Sequence, residues 1–330
     1  MRILAGVLAA LTVCTLISCS SGGAPGTGQT GRTTATLPSL DPVPIAENPP
    51  AQLPVTVKGF DGRETTVTDT SRIVAIDRYG TLAQTVYALG LGSKLVGRNT
   101  AAAFPAVQHV TNVTPGGGAL NVEAVAALRP TLVLADETAG TDVVREQLRA
   151  VAPVVFFDPK RTLESVVPQI DAVAAALGVP GPGQALGERT QREIAAATQS
   201  RPAGTKPRIA FLYLRSAAIT MLAGPGSGAD AMITAIGAED AGTASGLTQQ
   251  FVPVTSEAMI AAAPEVFLMM TDGLASIGGE AGLEKLPGVA QTPAGRNKRI
   301  VDMADSVLLS FGPNTGLVLK ALADAVYSHR

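Results

Sequence analysis

The stretch RIAFLYLRSA, residues 208–217, sets a phenol and a guanidinium two positions apart, Tyr213 and Arg215, where an apolar run gives out. Tyrosine is scarce in this chain, four in 330 residues, and tryptophan is absent. Alternate residues of a strand share a face, so the two side chains lie side by side. A cation beside a phenol favours the phenolate, a hard anionic oxygen. The same pair can also be read as a strand-end tyrosine with an arginine packed on its ring. Tyr79, in DRYG after a buried strand, is a second phenol at a strand end, next to Arg78. Arg78 is either solvated or able to pair with a carboxylate. Other reactive types are sparse. His109 sits in VQHVTNV and His329 is the penultimate residue; no zinc spacing and no Ser/His/Asp arrangement is visible, so no enzyme is expected. GPGSGAD (224–230) has the glycines of a phosphate loop but not its Gly-Lys-Ser/Thr ending. It reads instead as a turn with Asp230 near the start of a helix. Met221, Met269 and Met270 lie in apolar strands, where methionine is usually core.

Elements that must position these residues follow from periodicity. VTVKGFDGRETTV alternates around Asp61-Gly62 and predicts a hairpin. RIVAID (72–77), KLVGRN, TLVLAD (131–136) and PVVFFD (153–158) read as strands. They alternate with helical stretches at 80–91 and 121–130 and at DVVREQLRAVA, the signature of a parallel sheet with helices on both faces. A helix over 163–177 follows, then a Pro-Gly break, then the more polar helix QALGERTQREIAAATQS. Near Arg208 the strand–helix rhythm restarts and runs to the end. The halves echo each other: NVEAVAALRPTLVLAD and TSEAMIAAAPEVFLMM each carry a glutamate seven residues before a proline, Glu123 with Pro130 and Glu257 with Pro264. Asn121 and Thr255 are the expected helix N-caps, with a glutamate in the first turn of each helix where the dipole favours it. The expected fold is therefore α/β with two Rossmann-like lobes, 55–180 and 205–330, joined by a single long helix within 181–204.

The ends and the composition narrow the class. MRILAGVLAALTVCTLISC opens with Arg2, runs apolar and closes on small residues before Cys19, as a secretory signal peptide does over residues 1–18. Leu16-Ile17-Ser18-Cys19 resembles the bacterial lipobox, which implies cleavage before Cys19 and a lipid on its sulfur. Loss of Cys14 with the signal would leave no disulfide. Residues 19–54, dominated by Gly, Ser, Thr and Pro, read as a disordered tether of about 30 Å r.m.s. span. Net charge is −2 with no long basic run, which argues against nucleic acid as a partner.

A lipobox, a tether, two echoing lobes and one connecting helix together resemble the substrate-binding lipoproteins of bacterial ABC importers. The subgroup has a rigid interlobe helix (class III periplasmic binding proteins) and handles haem, cobalamin and ferric siderophores. DRYGTLAQTVYALGLGSKLVGR, PGGGALNVEAVAALRPTLVLAD, FLYLR, LAGPGSGAD and LPGVAQTPAGRNKRIVDM resemble haem-binding proteins of the HmuT type, and these cover most of the chain from about Leu53. The resemblance implies that Tyr213 binds haem iron axially and Arg215 supports it. It implies further cargo contacts at Arg78, Tyr79, Gly117, Gly118 and Asn121, and docking of Glu123 and Glu257 on an ABC permease coupled to its ATPase. A monomer held at the outer face of the cell membrane by Cys19, closing only slightly on its cargo, completes the expectation. One position departs: relatives often carry a histidine as the other axial ligand where GGGALN has Gly118. Tyr79 is the first substitute. The departure also leaves open a ferric siderophore or a corrinoid as cargo, or a haem-sensing role outside transport.

Overall fold

The computed structural model describes residues 30–117, 119–200, 204 and 206–327. The signal peptide and Cys19, together with Gly118 and His329, lie outside them. Four-residue β1 (Arg32–Ala35) comes first, then the hairpin of β2 (Val55–Lys58) and β3 (Glu64–Val67), paired antiparallel as DG at 61–62 predicts. The N-lobe sheet follows. It comprises β4 (Ile73–Ile76), β5 (Leu95–Arg98), β6 (Thr111–Asn112), β7 (Leu132–Asp136) and β8 (Val154–Phe157), all parallel in the order β6-β5-β4-β7-β8. The residues of β4, β7 and β8 are buried throughout, as parallel strands covered on both faces must be. The β2–β3 hairpin covers the β8 edge through Phe60 N–H to the Phe156 carbonyl (2.7 Å) and Thr65 Oγ1 to the Val154 carbonyl (2.9 Å).

Between these strands run α1 (Thr81–Val86), α2 (Val122–Ala127) and α3 (Asp142–Val151). The helix expected over 80–91 keeps regular geometry only to Val86. A wide turn follows over Tyr87–Leu91, with Gly90 at φ 84°. After β8, α4 (Leu163–Ala176) and α5 (Pro180–Gln199) lie against each other. The expected Pro-Gly break is the first turn of α5. Pro180 stands at the first helical position, where a missing N–H costs nothing, and Gly183 sits against Ala174 of α4. The polar sequence of α5 suits a connecting element better than a core one. Its Gly183, Leu186, Gly187, Thr190, Ile194 and Ala197 are instead buried, between α4 and the C-terminal helix Thr315–Tyr327.

The C-lobe sheet contains β9 (Arg208–Arg215), β10 (Ile219–Ala223), β11 (Glu239–Asp240), β12 (Phe251–Pro253), β13 (Val266–Met270) and β14 (Ile300–Met303). Its order is β1-β14-β13-β9-β10-β12, with β11 also on β9. β1, β14, β13 and β9 are parallel, but β10 runs antiparallel to both of its neighbours, β9 and β12, so this sheet is mixed. The echo seen in sequence is topological: β4-β7-β8 in one lobe matches β9-β13-β14 in the other. α6 (Ala229–Ala235), α7 (Ala241–Ala244) and α8 (Ser256–Ala262) complete what is needed here.

Residues 30–54 correct the tether expectation. They form an ordered strap across both lobes. β1 extends the C-lobe sheet, and Arg32 forms a two-pronged bond with the buried Asp302 at 2.8 and 3.0 Å. Burial alone would push the Asp302 carboxyl up; the bonds from Arg32, Thr271 and Thr34 outweigh it and hold it below its usual value. The strap then crosses to the N-lobe side. Asn48 N–H meets the Gly90 carbonyl (3.0 Å) and Gln52 N–H meets that of Gly178 (2.7 Å). Both glycines have positive φ, and a Cβ on either would strike the strap backbone. Leu37, Leu40, Ile45 and Leu53 pack on a core that runs through both lobes. Spaced apolar anchors in a Pro-rich, extended segment make a strap as well as a tether, and composition alone does not separate the two.

Candidate functional site

A helix joining two parallel strands begins at the carboxyl end of the sheet, and in open α/β sheets ligands bind beyond that end. The Tyr213–Arg215 pair and the loop of Asp77, Arg78 and Tyr79 follow strands at that end. In the C-lobe β9 ends in Tyr213 and Arg215. The Arg215 guanidinium carbon lies 4.8 Å from the centre of the Tyr213 ring, and Phe251 meets the ring edge-on at 5.9 Å between centres. Arg215 is shared: Nη2 lies 2.8 Å from Asp305 and 3.3 Å from Met270 Sδ, and Nη1 donates to the Leu214 carbonyl at 2.9 Å. Burial pushes the Asp305 carboxyl above its ordinary value, against the bond from the Asp272 N–H and the Arg215 charge. The arginine therefore packs on the ring, as the second sequence reading expects, and is also charge-paired with Asp305. Met221 faces Tyr213 across the β9–β10 ladder, whereas Met269 and Met270 are buried in β13.

In the N-lobe the loop after β4 carries Asp77, Arg78 and Tyr79. Arg78 is exposed and Tyr79 half-buried. Asp77 accepts from the backbone N–H of Tyr79 (3.2 Å), Thr81 (2.9 Å) and Leu82 (3.2 Å), capping α1. Its carboxylate also lies 3.5 Å from Arg161, whose Nη2 reaches Asp136 at the end of β7 at 3.2 Å. The Arg161 guanidinium stands 5.5 Å from the centre of the Tyr79 ring. Burial, reinforced by the Asp77 carboxylate, pushes Asp136 up to about 6; the bonds from Thr138 and the Arg161 charge offset only part of this. Sequence reading missed Arg161, Asp136 and Asp305. The available signal was that RIVAID, TLVLAD and PVVFFD each close on aspartate.

The remaining candidates divide. Gly117 ends a short turn whose middle residue, Gly116, has φ 70°. Asn121 caps α2, its Oδ1 accepting from Ala124 N–H at 2.8 Å. Thr255 caps α8 in the same way at 3.1 Å. Glu123 and Glu257 are exposed in the first turns of these helices, at matching places on the two lobes. His109 is exposed in a turn. Asp230 bonds the Gly226 N–H (2.8 Å) and Gly228 N–H (2.9 Å), which makes GPGSGAD a self-capped turn. The lobes touch beside these groups: Gln84 Nε2 donates to the Ser306 carbonyl at 2.6 Å, and Thr81 Oγ1 donates to that of Ser310. Among the described residues no helix is long and apolar enough to cross a membrane, and no cluster of His, Cys, Asp and Glu is arranged to hold a metal ion.

Comparison with known proteins agrees with this architecture. A crystal structure of the heme binding protein HmuT superposes with a TM-score of 0.86 at 34% identity, covering 91% of this chain and 98% of that one. That protein has also been solved with alanine in place of a histidine, and in place of a tyrosine and the arginine two residues after it. The periplasmic heme-binding protein RhuT from Roseiflexus sp. RS-1 matches with a TM-score of 0.73 at 37% identity, over 79% of this chain and 99% of its own. An uncharacterized ABC transporter substrate-binding lipoprotein of Bacillus subtilis is 24% identical over 281 residues, 83% of this chain and 86% of its own. The sequence profile described as periplasmic binding protein matches residues 76–307, from the first core strand of the N-lobe to the interlobe contact at Ser306, and the chain belongs to that family.

Proposed function

We propose that the chain is the extracytoplasmic substrate-binding component of an ABC importer and that its cargo is haem, held between the lobes. The observation that carries this is the Tyr213–Arg215 pair. Its phenol stands at a strand end on the ligand-binding side of the sheet, and its hydroxyl has no protein partner among the described residues. The likeness to heme-binding proteins at 34 and 37% identity supports the cargo. Tyr213 ligates the ferric iron as phenolate, and Arg215 stabilises that charge and fixes the plane of the ring. Arg78, exposed beside the site, pairs with a cargo carboxylate. Gly117, Gly118 and the α2 start at Asn121 border the cargo. Cys19 anchors the chain to the outer face of the membrane, and the protein acts as a monomer. Glu123 and Glu257 dock on the permease, whose ATPase drives uptake. Alanine at both is expected to abolish docking and leave cargo affinity unchanged, as measured by permease pull-down and by titration.

Hemin titration followed by absorbance tests the cargo. A Soret shift that saturates near one equivalent and is lost in Tyr213→Ala is expected. No spectral change at micromolar hemin would overturn it. Gly118, where relatives often carry an imidazole, favours a second reading, a ferric siderophore or corrinoid on the same scaffold. Competition with such cargoes separates the two.

A further inference from the structure

The N-lobe cluster is built more elaborately than its charges require. The Arg161 side chain is only 6% exposed, and its Nε is buried with no hydrogen-bond partner among the described residues. Leaving such a donor unpaired costs free energy. Two carboxylates, on the ends of β4 and β7, nevertheless hold this guanidinium against the ring of Tyr79. Asp77 does two things at once. It pairs with Arg161, and it accepts the backbone N–H of Tyr79, so one carboxylate sets both the arginine and the phenol. Asn99 Nδ2 fixes Asp77 in turn through its carbonyl. The other lobe meets the stem of this arginine. A Cβ on Gly228 would come within 3.6 Å of the Arg161 Cβ and 3.1 Å of the Phe311 ring, so this loop sits directly against the arginine. The Tyr79 hydroxyl, like that of Tyr213, has no protein partner among the described residues. The C-lobe repeats the same three parts in Tyr213, Arg215 and Asp305.

We infer that Arg161, seated on Asp77 and Asp136, is a positioning residue that holds Tyr79 as the second axial contact, so that one tyrosine from each lobe grips the cargo iron. This rests on the haem reading above. A planar guanidinium on a ring face fixes the plane of the ring and lowers the cost of negative charge on its oxygen, and an ammonium cannot stack in that way. Tyr79 thereby stands in for the ligand that Gly118 cannot supply.

The full chain, titrated with hemin and followed by absorbance, tests this in four forms: unsubstituted, Tyr79→Phe, Arg161→Lys, and the double variant. Tyr79→Phe is expected to move the Soret and charge-transfer bands and to weaken binding about 10-fold. Arg161→Lys, which keeps the buried charge, is expected to give the same spectral change in part and to weaken binding about 3-fold. In the Tyr79→Phe background Arg161→Lys should add nothing, because it acts through the missing oxygen. An unchanged spectrum and affinity in Tyr79→Phe would overturn the inference while leaving the haem reading intact. So would full additivity of the two substitutions. Absence of any hemin band in the unsubstituted protein overturns both. Tyr79→Phe decides the matter by itself if Arg161→Lys does not fold.

Discussion

The two lobes end their central strands in the same three residue types, but in different surroundings. In the N-lobe, Arg161 is 6% exposed and its two carboxylates are 0 and 1% exposed. In the C-lobe, Arg215 is 36% exposed and its single carboxylate 21%. Charge interactions strengthen as the effective dielectric falls, and ions taken out of water depend on their partners to replace hydration. The N-lobe cluster is accordingly a fixed wall, tied to helix α1, three strand ends and the facing loop. The C-lobe cluster keeps water contact and a single counter-charge among the described residues. On the proposal above, one chemical kit would serve as a rigid mount in one lobe and an adjustable ligand in the other, with burial making the difference.

The largest effect should come from removing the two arginines. Arg161→Gln leaves two buried carboxylates facing each other and is expected to cost about 3–5 kcal/mol, whereas Arg215→Gln is expected to cost about 1 kcal/mol or less. Denaturant unfolding of both variants measures this. Equal losses would erase the contrast.

Cargo binding should rank the lobes the other way. Tyr213→Phe is expected to weaken hemin on the order of 100-fold, about 2.7 kcal/mol, against about one decade for Tyr79→Phe. Hemin titration gives both values. A larger loss in Tyr79→Phe would mean that the rigid side supplies the main ligand.

How much of this was readable beforehand depends on how local each feature is. Tyr213 and Arg215 are two residues apart on one strand, so alternation alone put them together. The caps at Asn121 and Thr255 are equally local, and the structure forms both as expected. The lobe echo was legible because seven residues separate the glutamate from the proline in each copy. Arg161 was not legible: its partners lie 84 and 25 positions away and meet it only once β4, β7 and β8 are aligned. The strap failed for another reason. Proline and small polar residues suppress helix and sheet whether a segment is free or laid extended on a surface. Only the places that receive it, Gly90 and Gly178, tell the two apart.

The carboxylates sharpen the comparison by their response to pH. Asp136, pushed up to about 6 by burial and then by Asp77, titrates near 3.8 when unfolded. A folded value above the unfolded one means that the native state holds the proton more tightly. Its contribution therefore favours folding fully below about pH 4 and is lost as pH rises through 6. Asp136→Asn should remove that dependence, flattening the stability curve between pH 4 and 6.5 by on the order of 2 kcal/mol. Unfolding midpoints recorded across that range in both proteins check this. Superimposable slopes would show that Asp136 carries no such linkage.

The smallest effect tests the C-lobe partner. Asp305 draws on the same guanidinium that lies over the Tyr213 ring, so it partly cancels the charge that favours phenolate. Asp305→Asn removes the cancellation. The asparagine oxygen can still accept from Asp272 N–H, as the carboxylate does at 2.9 Å, so the local backbone is kept. Hemin affinity should rise about 3-fold, the size of a solvent-exposed pair's coupling of about 0.7 kcal/mol, as read by absorbance titration. A fall in affinity would assign Asp305 the opposite role, holding Arg215 over the ring, and would make the C-lobe cluster a mount like that of the N-lobe.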